Sequence, residues 1–77
     1  MNPKFTASAL QNIQGKSPDE LVSLMLRTTT PLTTEEMSLL SSWDGRLLYD
    51  SGIMAIVQIP VSKVNEIASW DCILEIR

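Results

Sequence analysis

The sequence predicts an α+β domain in which helices cover one face of a four-stranded antiparallel sheet. Three observations carry this. A capping box introduces a helical segment at Thr33–Glu36. A tight-turn pair, Ser51-Gly52, joins "RLLYD" to the Ile- and Val-rich "IMAIVQI" as a hairpin. The two halves also echo each other, since "EEMSLLSSWDGRLL" and "NEIASWDCILEI" both run helix, Trp-Asp, strand.

The first element is an N-terminal arm, residues 1–16. Thr6 or Ser8 caps a short helix carrying Leu10 and Ile13, and Gly15 ends it. Two turns of helix are unstable alone in water, so the arm must dock on something or fray. Residues 17–77 form the main domain. In "LVSLMLRTTT", Val22, Leu24 and Leu26 alternate with Ser23, Met25 and Arg27, which is strand periodicity. The rival reading is a helix capped at Ser17, with Pro18 in its first turn and Glu20 completing a box. Topology favours the strand.

"PLTTEEMSLLSSWDG" is a helix with Met37, Leu40 and Trp43 at helical spacing and Asp44-Gly45 as its stop. "RLLYD" and "IMAIVQI" follow as strands, the second ended by Pro60. Ser62 caps "KVNEIASW", whose apolar stripe is Val64, Ile67 and Ala68. Asp71 turns the chain into "CILEIR", the last strand. The order strand, helix, strand, strand, helix, strand is a ferredoxin-like βαββαβ sandwich, with "RLLYD" and "CILEIR" at the two edges.

At 77 residues the chain holds one domain. Its net charge is −3, and six Lys and Arg are scattered without a basic stripe, which argues against nucleic acid. No basic amphipathic helix points to a membrane surface. The N-terminus lacks the basic-then-apolar order of a secretory signal, and one cysteine allows no internal disulfide. A cytoplasmic location is the default expectation. Charged residues are 19 %, below the usual ~25 %, which favours self-association.

Catalytic constellations are scarce, and the expectation is a non-enzymatic protein with no cofactor or metal. There is no histidine. Cys72 opens an apolar strand and reads as a small core residue. Asp19-Glu20 and Glu35-Glu36 read as capping and dipole residues, and "TTTPLTT" as a loop with an N-cap. Gly15, Gly45 and Gly52 stand at breaks between elements, with no phosphate loop. Trp43 and Trp70 lack the basic neighbours of a base-stacking platform.

One feature points to function. With Val22, Leu24, Leu26, Ile53, Ala55, Val57 and Ile59 under the helices, the opposite face takes Ser23, Met25, Arg27, Met54, Ile56, Gln58, Ile73 and Glu75. An open sheet face is normally polar. This one groups Met25, Met54, Ile56 and Ile73, and such patches mark contact sites. A protein partner or a second copy would cover it. The alternatives are the arm folding back through Phe5, Leu10 and Ile13, or a different strand register. A small ligand-binding oligomer using Tyr49, Arg46 and Arg27 is a further alternative.

The pattern from Leu21 to Ile76 resembles subtilisin-type protease propeptides and the related propeptide-like inhibitors. The matching features are an acidic helix after the first strand, an apolar strand ending in Ile59-Pro60, the helix "VNEIAS" and a last strand with Ile73 and Ile76. "NPKFTASALQ" looks like the start of some subtilase prodomains. The resemblance covers about residues 20–77. It implies a ferredoxin-like fold, a subtilisin-type protease as partner, and use of the open sheet face in inhibition or folding assistance. The family inhibits with an extended tail beyond the last strand, and here the chain is expected to stop at Arg77 with nothing to fill a cleft. No inhibitory residue is carried over.

Overall fold

The computed structural model describes residues 3–77. It is α+β and ferredoxin-like, with elements α1 (Ala7–Ile13), β1 (Leu21–Thr28), α2 (Thr34–Ser42), β2 (Arg46–Asp50), β3 (Met54–Pro60), α3 (Val64–Ala68) and β4 (Ile73–Ile76). The sheet order is β2-β3-β1-β4, antiparallel throughout.

Period two prevails over the helix signals in β1. The capping residues Ser17 and Glu20 close a local turn instead, in which the Glu20 amide donates to the Ser17 carbonyl at 3.0 Å. The strand then pairs with β3 from Leu21 to Arg27 and with β4 from Leu26 to Thr28, which places it at the centre of the sheet. Val22, Leu24 and Leu26 point into the core with Ala55, Val57 and Ile59 from β3.

The expected capping box of α2 is present. The Glu36 amide donates to Thr33 Oγ1 at 3.1 Å, and the Thr33 amide to Glu36 Oε1 at 2.8 Å. The stop after α2 divides its work between two residues. Asp44 takes the left-handed conformation at φ 59°, a region that Asp tolerates. Gly45 provides a close approach, since a Cβ there would lie 2.9 Å from Ile59 Cγ2 and from the Leu40 carbonyl oxygen.

Three expectations need correction. Ser62 does not cap the third helix. Val61–Lys63 forms a 3₁₀ turn, and α3 starts after Lys63 with no side-chain cap. Ile53 is not a core residue. It lies in the turn before β3 and is 63 % exposed. Ile73 is not on the open face but 1 % exposed in the core. The cause is a bulge in β4. Arg27 pairs with Glu75 but Thr28 pairs with Ile73, so Leu74 is an extra residue and the alternation breaks.

The arm docks. Phe5 bridges Ile76 in parallel at the outer edge of β4, with the Ile76 amide donating to Lys4 O at 2.8 Å and the Thr6 amide to Ile76 O at 3.0 Å. Thr6 also caps α1 through its hydroxyl. Ala9 is fully buried, and Phe5 and Ile13 pack against the same core as α2 and α3. Between those helices Trp43 and Trp70 stack with ring centroids 6.1 Å apart, and the Lys63 ammonium lies over Trp43.

The close approach at Gly45 yields a test. Gly45→Ala should lower stability by about 1–3 kcal/mol in urea unfolding, because the flanking carbonyls cannot yield freely. A control at exposed Ser41 should stay within about 0.5 kcal/mol.

Candidate functional site: the open sheet face

The register fixes which side chains share this face. Met25 pairs with Ile56 and Ile56 with Tyr49, giving an apolar row across three strands. Met25 also exchanges both backbone hydrogen bonds with Arg77, at 2.9 and 2.8 Å, which brings Arg77 to the end of this row. On one side, Met54, Arg27 and Glu75 form the next row. On the other, Arg46, Gln58 and Ser23 form a third, followed by Leu21 opposite Pro60.

Hydrogen-bond parity brings Met25 and Ile56 closer together. Thr28 donates to Ile53 O at 2.8 Å and Val61 to Glu20 O at 2.9 Å. Hydrogen-bonded pairs alternate with non-bonded ones, so Met25–Ile56 and Arg27–Met54 are non-bonded pairs with closer side chains. The same parity turns the missing N–H of Pro60 away from β1.

Seven of the eight residues expected on this face are there: Ser23, Met25, Arg27, Met54, Ile56, Gln58 and Glu75. Ile73 is replaced near the β4 edge by the bulged Leu74, which is 47 % exposed. Tyr49, Arg46 and Arg77 belong to the face as well. The signal for Tyr49 and Arg46 was the hairpin register, which a second bulge at Leu48 obscures. Met54 is 38 % exposed, and Met25 and Ile56 are half-buried and lie outside the core cluster that takes Phe5 and Ile13. Phe5 and Ile13 of the arm thus pack on the core side of the sheet.

The charges are unevenly placed. Arg27, Arg46 and Arg77, all the arginines of the chain, lie at open-face positions with one carboxylate, Glu75. Arg77 pairs with Glu75. Arg27 and Arg46 have no carboxylate within ion-pair distance among the described residues. The remainder of the chain carries three lysines against eight acidic residues.

Elsewhere the chemistry is sparse. Among the described residues no three of His, Cys, Asp and Glu gather as a metal site, and no buried side-chain polar atom lacks a partner. A shallow depression along α2 is lined by Thr34, Glu35, Ser38, Leu39 and Ser42, all from one helix. No described helix is long and apolar enough to cross a membrane. Cys72 precedes β4, is half-buried, and donates its thiol to Glu36 Oε2 at 3.5 Å. Burial first, then the Glu36 charge and this hydrogen bond, push its pKa above the ordinary thiol value. Comparison with family models, curated proteins and solved structures gave no match.

The thiol's surroundings set its reactivity. Cys72 should alkylate more slowly with iodoacetamide at pH 8 than in the unfolded chain. Glu36→Gln keeps a capping side chain but removes the charge, and should speed alkylation about two- to five-fold. The raised pKa contributes stability that is complete below the unfolded thiol's pKa and is lost as pH rises through the folded value. Urea midpoints measured across alkaline pH should therefore fall less steeply for Cys72→Ser than for the parent.

Proposed function

We propose that this chain is a non-enzymatic interaction module that associates with another protein chain through its open sheet face. The observation that carries the reading is the Tyr49–Ile56–Met25 row with Met54 beside it, on a face that water would otherwise occupy. Apolar side chains grouped on an open antiparallel sheet are costly to solubility and are retained where a surface is to be covered. Met adds adaptability to such contacts.

The propeptide-like reading is the second one. The strand order and the free sheet face suit a domain that docks on a protease and assists its folding. Nanomolar inhibition of a subtilisin-type protease would promote it over the general reading.

Site-specific photo-crosslinking tests the proposal. A benzophenone amino acid at position 54 should form protein adducts in cells of the source organism, while one at position 42 on the outer side of α2 should not. Ile56→Asp in the same background should abolish the adducts and leave the circular dichroism spectrum unchanged. Equal adducts at both positions, or none at position 54, would remove the proposal.

A further inference from the structure

We infer that the partner which covers the open sheet face presents an acidic amphipathic segment, an apolar ridge with carboxylates on both sides. The inference rests on the interaction-module reading and adds the partner's chemistry. Its argument is the placement of charge.

Ile56 occupies the centre of the face in register terms. Arg46 stands beside Gln58, two residues along β3 in one direction, and Arg27 stands beside Met54, two residues along in the other. Arg46 is on the β2 side and Arg27 on the β1 side, so the two guanidinium groups flank the apolar row diagonally. With strands ~4.8 Å apart and ~3.3 Å per residue, their Cα atoms are on the order of 16 Å apart, about three turns of helix. Neither has a carboxylate partner among the described residues. Arginine's planar fork suits paired recognition of carboxylates at an interface.

The rest of the molecule strengthens the contrast. A chain of net charge −3 gathers all its arginines on the one face that lacks helices. Two copies meeting by this same face would oppose like charges around an apolar centre, and such juxtapositions are unfavourable. An acidic partner meets no such penalty, and salt would weaken its binding.

Two synthetic helical peptides test this against the full chain by NMR titration. Both carry one leucine ridge, flanked by glutamates in one and by lysines in the other. The glutamate peptide should bind at least about tenfold more tightly at low salt, with the largest shift changes at Met25, Met54 and Ile56. Arg27→Glu combined with Arg46→Glu should invert that order without changing the urea midpoint. Equal or stronger binding of the lysine peptide on this face would overturn the acidic partner and leave the module reading standing. Concentration-dependent shifts on the face without any peptide would make a second copy the occupant, with the same consequence. Absence of shifts on the face with either peptide would overturn both.

Discussion

The antiparallel pairing of β1 with β3 determines nearly everything else in this protein. Each of its residues from Leu21 to Arg27 has a defined partner from Pro60 back to Met54. Because side chains alternate with period two, this single register sends Val22, Leu24 and Leu26 to the helices and Met25 and Arg27 to the open face. A slip of one residue would exchange the two sets. It would bury an arginine and expose three residues that are now almost fully buried, so burial strongly enforces the register. The face that we propose for binding is therefore a consequence of the same interaction that builds the core.

The edges obey a looser rule. Both edge strands carry one extra residue, Leu48 in β2 and Leu74 in β4, and both extra residues are exposed. Bulges at edges twist a strand and hinder pairing with another chain. At β4 the arm adds a second protection, since Lys4 and Thr6 take up the outward hydrogen-bonding groups of Ile76. Strand addition at β4 is thereby hindered.

The sequence disclosed the parts governed by local rules. The Thr33–Glu36 box, the alternation of Val22, Leu24 and Leu26, and the Ser51-Gly52 turn each have one dominant physical reading, and each element formed. The third helix was harder, because Val61–Lys63 tightens into a 3₁₀ turn that leaves Ser62 without a capping role. The six face residues on β1 and β3 (Ser23, Met25, Arg27, Met54, Ile56 and Gln58) were legible because those strands are regular. Ile73 was misplaced because strict alternation was carried through β4, although the spacing of Ile73 and Ile76 by three residues already conflicts with period two if both are apolar core residues. Tyr49, Arg46 and Arg77 were harder to place, since their positions depend on a bulge and on a pairing partner distant in sequence.

The register is also where the account can be tested most directly. Cross-strand Hα–Hα nuclear Overhauser effects report non-hydrogen-bonded antiparallel pairs, whose Cα atoms approach to about 4.5 Å. The structure requires them between Met25 and Ile56 and between Arg27 and Met54, with Ile73 methyl contacts only to core residues. Effects between Leu24 and Ile56 instead, with Met25 in contact with the helices, would mean a shifted register and would contradict both the core and the proposed binding face.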